Sequence, residues 1–147
     1  MMVSTKGRYG VRLLLDIALH QDQGTVNLND IATRQRISSK YLWQVINPLK
    51  ANGIVRVTRG AYGGYKLAKP PEQINLCQVL DILEGKITVT ECARERKRCD
   101  NHMECVTREI WAELTDSIRE SFSEITLADI IKRARDRIAN SHVDFVI

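Results

Sequence analysis

Residues 38–67 read SSKYLWQVINPLKANGIVRVTRGAYGGYKL, and this stretch decides the fold. Apolar side chains recur at steps of three and four over residues 41–49, which predicts a helix. The Asn-Gly pair at 52–53 ends that helix, because both residues tolerate the left-handed backbone of a helix C-terminus. Residues 54–58 then predict a short β-branched strand, and residues 65–67 predict its return after a glycine-rich turn.

A helix followed directly by a small basic hairpin is the arrangement in which a winged helix-turn-helix binds DNA. A second helix pattern over residues 28–36 lies just upstream, and the turn at residues 36–38 is short enough for a helix-turn-helix. The alternative is a structural helix and hairpin in an α+β domain, but that reading leaves the basic hairpin unexplained. We therefore predict a mainly α fold with a small β-hairpin wing, and a winged helix-turn-helix domain that binds double-stranded DNA.

The predicted recognition helix carries its polar and exposed side chains on its first turns. Gln44 can pair with adenine, and the Ser39 hydroxyl is adaptable. Trp43 is expected to pack on a thymine methyl, on the wing or on sugar, or else to be a core aromatic. Arg59 can enter a narrow minor groove, or it is an ordinary exposed arginine near phosphate. The predicted DNA-binding set is Lys6, Arg8, Ser38, Ser39, Lys40, Tyr41, Trp43, Gln44, Arg59 and Tyr65.

Charge divides the chain into two unequal halves. Residues 1–75 hold eleven Lys/Arg against four Asp/Glu, a net charge of +7, whereas residues 76–147 hold eleven against fourteen, a net charge of −3. The basic half predicts a polyanionic partner. Lys6 and Arg8, at the start of the first predicted helix, either contact phosphate or are solvated.

The acidic half predicts a long helix with an apolar stripe. Trp111, Leu114, Ile118 and Phe122 recur at steps of three and four after Cys105, along a helix of about 20 residues and about 30 Å. The small N-terminal domain has limited surface to cover it, so we expect a homodimer helix rather than burial against its own domain. The chain then divides into a winged helix-turn-helix domain (1–70), a short helix with a cysteine loop (71–104), and a dimerisation helix with a C-terminal helix (105–147).

No signal peptide and no membrane-spanning run is visible, so we expect a cytoplasmic protein with no membrane partner. Its cysteines should be reduced there, which favours metal or redox chemistry over disulfides. Cys77, in a helix predicted over residues 76–83, is expected to be a small buried hydrophobe rather than a ligand or reactive thiol.

Two of the other three cysteines lie in a charged segment without apolar periodicity, residues 91–104, which predicts a loop, and the third comes directly after it. Cys92, Cys99 and Cys105 have the spacing C-x6-C-x5-C, unlike a zinc finger or a bacterial ferredoxin. Soft thiolates select iron–sulfur clusters, zinc or copper(I), and the alternative is three unliganded cysteines. A fourth ligand is needed, and the candidates are His102 first, then Asp100, Glu104, Glu109 or a residue of a second subunit.

Together, the STKGRYGV start, the SSKYLWQVINPLKANGIV helix, the RGAYGGYKL wing, the three-cysteine loop and the LADI helix start resemble the IscR-type winged-helix regulators over most of residues 1–139. The resemblance implies a homodimeric bacterial transcription factor, with a pseudo-palindromic operator and Arg59 as its minor-groove arginine. It also implies an iron–sulfur cluster on Cys92, Cys99, Cys105 and one non-cysteine ligand, for which we expect [2Fe–2S] rather than [4Fe–4S].

The implied function is repression of iron–sulfur assembly or redox genes under control of the cluster. Relatives without the cysteines regulate cysteine metabolism, so the alternative is a DNA-binding regulator with structural zinc or no metal. A thiol-redox enzyme using Cys92 and Cys99 is disfavoured by the missing C-x-x-C motif, and we predict no enzymatic activity. The sequence departs from the family twice: Arg108 stands where a histidine often follows the third cysteine, and Trp43 replaces a glutamate that helps to select bases.

Overall fold

A computed structural model describes residues 3–95, 99–100 and 104–143. Within these ranges the chain forms seven α-helices and one two-stranded antiparallel sheet, which confirms the mainly α fold with a small hairpin. Short 3-10 turns lie at Gln21–Gln23 and Pro71–Gln73. The elements are α1 Thr5–His20, α2 Leu28–Gln35, α3 Ser39–Ala51, β1 Val55–Thr58, β2 Gly64–Leu67, α4 Leu76–Glu84, α5 Glu91–Arg94, α6 Val106–Glu124 and α7 Leu127–Val143.

Polar side chains fix where several helices begin. Ser38 before α3 and Asn75 before α4 each accept the backbone N–H three residues on, at 3.2 and 2.8 Å. Thr126 and Asp129 form a reciprocal capping box at the start of α7. Between α2 and α3 the chain reverses at Arg36, whose φ of 55° is the left-handed conformation that this tight turn requires.

One hydrophobic core joins the N-terminal half to the last helix. α1 lies at its centre, and α2, α3, α4, α7 and β2 contact it. The Leu127 N–H donates to the Ile74 carbonyl at 2.7 Å, so α7 is held against the segment before α4. Helix α1 is therefore covered on more than one side, and elements of the same chain provide that cover. The core includes Leu13, Leu14, Ile17, Ile31, Leu42, Val45, Ile46, Leu49, Ile54, Leu67, Ile74, Leu83, Leu127 and Ile131.

Helices α1 and α4 approach each other too closely for side chains at two α1 positions. A Cβ atom at Gly7 would collide with the Glu84 carboxylate, and one at Gly10 would collide with the Leu83 side chain. Glu84 also accepts hydrogen bonds from the Ser4 N–H and hydroxyl, at 2.9 and 3.0 Å. The N-terminus of α1 is therefore fixed to the C-terminal turn of α4.

We predicted that residues 91–104 form a loop, and this prediction is wrong for the first four of them. Glu91–Arg94 forms the short helix α5, in which the Ala93 N–H donates to the Thr90 carbonyl at 3.2 Å. These four residues have no apolar face of their own, so the periodicity of the sequence could not reveal them. No helix in the described ranges is long and apolar enough to cross a bilayer.

Candidate DNA-binding surface and cysteine loop

The first turns of α3 present an outward face. The Ser39 hydroxyl donates to the Asn29 side chain at 2.9 Å, which ties α3 to α2. Lys40 and Gln44 are exposed. Trp43 is 52% exposed, so it is not a core aromatic. A cation, an indole and an amide therefore stand together on the solvent side of the predicted recognition helix.

Aromatic and basic residues of α1 lie behind that face. The half-buried Tyr41 ring meets Tyr9 edge to face, with the ring centroids 5.7 Å apart. The Arg12 guanidinium lies 5.3 Å from the Tyr9 ring centroid, a cation–π arrangement. Lys6 is half-buried and Arg8 is exposed at the start of α1. Tyr41 is consequently oriented by α1 before any ligand is present.

The wing is a two-stranded hairpin with an additional backbone bridge. Val26, in the segment before α2, exchanges two hydrogen bonds with Tyr65 of β2, at 2.9 and 2.8 Å. The Tyr65 side chain is only 8% exposed and belongs to the core. Tyr65 therefore anchors the wing from behind, and its burial argues against a direct DNA contact.

The tip of the wing is held by its own backbone. Gly60 has a φ of 114°, and its carbonyl accepts the Gly63 N–H at 3.0 Å. The Thr25 hydroxyl donates to the Tyr62 carbonyl at 2.6 Å, which links the tip to the segment before α2. Arg59 is exposed at the start of this tip, as we predicted for a residue that reaches DNA.

An ion pair with a buried carboxylate, which we did not predict, supports the helix-turn-helix. Asp16 of α1 is 2% exposed, and Arg34 of α2 donates to its carboxylate from Nη2 at 2.6 Å and from Nε at 3.1 Å. Gln35 adds a hydrogen bond at 2.8 Å. The hydrogen bond to Asp16 raises the pKa of Arg34. The signal in the sequence was an acid inside the apolar face of the first helix.

The three loop cysteines occupy different environments. Cys92 is half-buried in α5, Cys99 is exposed, and Cys105 lies directly before α6. A hydrogen bond with the Thr107 hydroxyl, 3.3 Å away, lowers the pKa of Cys105, and backbone N–H groups at the start of α6 act in the same direction. His102 lies outside the described residues. Cys77 is buried, which confirms its predicted packing role.

Three thiols, one of them with a lowered pKa, have the donor chemistry of an iron–sulfur or zinc site. In the described ranges, no three Cys, His, Asp or Glu side chains converge on a point that could hold one metal ion. The donor set thus fits such a group chemically, although the described residues do not bring three of its members to one point.

Arg108 connects the first and third of these cysteines. Its Nε donates to the Cys92 carbonyl at 3.1 Å, and its backbone N–H donates to the Cys105 carbonyl at 3.2 Å. A guanidinium stays protonated and offers only hydrogen-bond donors, so it cannot ligate as a histidine does. The residue at the family's histidine position therefore joins α5 to α6.

Helix α6 leaves the N-terminal part of its apolar side exposed in the described chain, whereas Ile118 and Phe122 of the predicted stripe are half-buried. Thr115 is its one buried residue, and the Thr115 hydroxyl accepts the Val89 N–H at 3.1 Å. Arg119 binds Asp81 of α4 through two hydrogen bonds, at 2.8 and 2.7 Å. The exposed apolar residues of the stripe are Val106, Ile110, Trp111 and Leu114.

Comparison with known proteins gives matches along nearly the whole chain. Residues 3–133 match the Rrf2 model, described as an iron-dependent transcriptional regulator. A putative HTH-type transcriptional regulator of Haemophilus influenzae is 42% identical over 145 residues, 99% of this chain and 95% of that protein.

Two solved structures are similar in both sequence and fold. CymR, the global cysteine regulator of B. subtilis, has a TM-score of 0.76 at 32% identity, covering 90% of this chain and 98% of its own. IscR of T. potens has a TM-score of 0.74 at 39% identity, covering 91% of this chain and 88% of its own. One neighbour is thus a cysteine regulator and the other is an IscR.

Proposed function

This chain belongs to the Rrf2 family of transcriptional regulators, and on that premise we propose that it is a homodimeric repressor of a pseudo-palindromic operator. The observation that carries the proposal is the outward face of α3, with Lys40, Trp43 and Gln44, followed in sequence by a wing that exposes Arg59. Cations neutralise phosphates, while the amide and the indole can select bases.

Each predicted contact except Tyr65 has a role in this proposal. Gln44 pairs with adenine in the major groove, and Trp43 packs on a thymine methyl. Arg59 enters the minor groove beside the recognition site. Phosphate contacts come from Lys6, Arg8 and Lys40, while Ser38, Ser39 and Tyr41 position the start of α3. Tyr65 is left out because its side chain is buried.

The exposed stripe of α6 supports a dimer. A contiguous apolar face on a long helix is a surface for another chain, and a two-fold dimer would present two wings to two half-sites. Because Asp81 and Arg119 join α4 to α6, the two DNA-binding surfaces would be held at a distance set by this helix pair.

We propose that Cys92, Cys99 and Cys105 hold an iron–sulfur cluster, [2Fe–2S] rather than [4Fe–4S], with His102 as the first candidate for the fourth ligand. Such a cluster would supply sensitivity to iron and oxidants. Thr107 stabilises the Cys105 thiolate, and Arg108 fixes the Cys92 backbone against α6. If cluster binding rearranged these contacts, α6 would shift relative to α5. A shift of α6 would change the distance between the two wings of the dimer. Iron–sulfur assembly or redox genes are the proposed targets.

A second candidate is a regulator of the same fold with structural zinc or no metal, controlling cysteine metabolism. One observation favours it: the similarity to the cysteine regulator CymR. Both candidates share the DNA-binding proposal and differ in what the cysteine loop holds and in the genes that are controlled.

DNA binding is tested on a duplex of about 30 base pairs, enriched by the wild-type protein from a random-sequence pool. Arg59→Ala should weaken binding about tenfold, and most on duplexes with a narrow minor groove. Arg56→Ala, an exposed arginine on the same hairpin, is the matched control and should lower affinity equally on all duplexes. If the two variants lost the same affinity on every duplex, the proposal that Arg59 enters the minor groove would be wrong.

The metal is tested by anaerobic purification, visible absorption, and iron, sulfide and zinc assays. Colour with matching iron and sulfide in wild type, lost in Cys92→Ala and kept in Cys77→Ala, is the result expected for a cluster. Zinc without sulfide, or no metal from cells competent to build clusters, would move the assignment to the second candidate.

A further inference from the structure

Tyr62 is the most exposed large hydrophobic side chain of the described residues, at 94%. It lies at the tip of the wing, three residues after Arg59. A single exposed tyrosine on a mobile loop would need no explanation. Here the loop is ordered by several contacts, so the ring is displayed from a fixed position.

Two hydrogen bonds and one close backbone approach hold the chain on either side of the ring. The Thr25 hydroxyl binds the Tyr62 carbonyl at 2.6 Å, and the Gly63 N–H closes the turn onto Gly60 at 3.0 Å. At Gly63 a Cβ atom would collide with the Thr58 carbonyl, so the turn is packed against its own strand. Because the chain has already ordered this turn, a partner that binds the ring does not have to order the backbone.

The hairpin that carries this tip is arranged for an anionic partner. Arg56 and Lys66 are directly opposite each other in the antiparallel register, where side chains share one face. Their neighbours Val55 and Leu67 are buried, so the Arg56–Lys66 face is the outer one. Like charges in directly opposite positions are destabilising unless an anion lies between them.

We propose that Tyr62 contacts the DNA backbone at the edge of the minor groove: its ring packs on deoxyribose and its hydroxyl donates to a phosphate. A tyrosine is suited to this place because it has an apolar ring and a polar end. The contact carries no charge, so it adds affinity that does not depend on salt, unlike the contribution of Arg59. This inference rests on the proposed DNA-binding function.

Tyr62→Ala and Tyr62→Phe are measured by fluorescence anisotropy on the selected duplex, between about 50 and 200 mM salt. Loss of the ring and its hydroxyl should raise Kd about five- to tenfold, while loss of the hydroxyl alone should raise it about two- to threefold. Both variants should keep the wild-type dependence of log Kd on log salt, because no charge is removed. Arg59→Ala should reduce that slope by about one.

Hydroxyl-radical footprinting separates a direct contact from an indirect effect, because the radical attacks exposed deoxyribose. Wild type should protect sugars at the edge of the minor groove in each half-site, and Tyr62→Ala should lose that protection alone. Ile138→Ala, an exposed apolar residue on α7, is the control and should change neither the affinity nor the footprint.

A Tyr62→Ala variant that binds within about twofold of wild type with an unchanged footprint would overturn the inference and leave the DNA-binding function standing. The inference would also be overturned if Tyr62→Ala reduced the slope of log Kd against log salt as much as Arg59→Ala does. Such a result would mean that the substitution had displaced the whole wing. Failure of the wild-type protein to enrich any duplex would remove the proposed function itself.

Discussion

Helices α1 and α6 have similar apolar stripes in the sequence, but they differ in what covers them. α1 buries seven of its 16 residues, whereas α6 buries one of its 19. The cover of α1 comes from α2, α3, α4, α7 and β2 of the same chain. Periodicity therefore identifies an apolar face, while only the fold tells whether the chain itself or a second molecule occupies it.

The same substitution in the two helices should have different effects. Leu14→Ala, at a fully buried position of α1, should lower the free energy of unfolding by about 2–5 kcal/mol, because it leaves a cavity. Leu114→Ala, at an exposed position of α6, should change the stability of the monomer by less than about 0.5 kcal/mol. Urea unfolding at dilutions below the dimer dissociation constant measures both, and equal losses would contradict the comparison.

A charge on the open stripe should act on association rather than on folding. Ile110→Asp should weaken the proposed dimer by about 2–3 kcal/mol, since a carboxylate would be buried unpaired between the subunits. Sedimentation velocity over a concentration series measures this, with Ile138→Asp on α7 as the control at another exposed apolar position. If the wild-type protein stayed monomeric at all concentrations, the proposed dimer would be wrong.

The ion pairs that attach α1 and α6 to their neighbouring helices should also differ in how much they stabilise the fold. Asp16→Asn in α1 should cost about 1–3 kcal/mol, because Arg34 loses its charged partner where the carboxylate is buried. Thermal unfolding followed by circular dichroism measures the change. Asp16→Asn should also reduce DNA affinity, since the pair holds α2 in place behind α3. Retention of both wild-type stability and affinity would show that the pair does not support the helix-turn-helix.

The smallest effect is expected at Asp81, whose pair with Arg119 joins α6 to α4 and is partly exposed. Asp81→Asn should cost at most about 1 kcal/mol at neutral pH. The hydrogen bond from Arg119 lowers the pKa of Asp81 in the folded protein. The stabilisation from ionised Asp81 is therefore fully present at pH values above the unfolded-state pKa of about 4. It is lost as the pH falls through the lower pKa of Asp81 in the folded protein. Acid unfolding curves should differ least between wild type and variant at the lowest pH.

Local signals in the sequence were enough to predict the helix-turn-helix, the long helix after Cys105 and the wing, but not the four-residue helix α5. Ser38, Asn75 and the Thr126–Asp129 pair cap their helices with residue types typical of that position, because a cap depends on residues within one turn. The outward position of Arg59 likewise followed from the tight turn in which it stands.

Long-range contacts could not be predicted in this way. The Asp16–Arg34 pair, the Val26–Tyr65 bridge and the Thr25–Tyr62 bond each join residues at least 18 positions apart. Their geometry depends on the packed fold and not on any local pattern. For that reason the sequence suggested Tyr65 as a DNA contact, whereas the structure buries Tyr65 and exposes Tyr62.

The contact between Gly10 and Leu83 has a consequence for how this sequence can change over time. Any side chain at position 10 needs space that Leu83 occupies, and Leu83 is buried with little freedom to move. A chain that acquires alanine at position 10 would have to reduce residue 83 as well. Among related sequences, the sizes of these two residues should therefore vary in opposite directions, as one inherited pair.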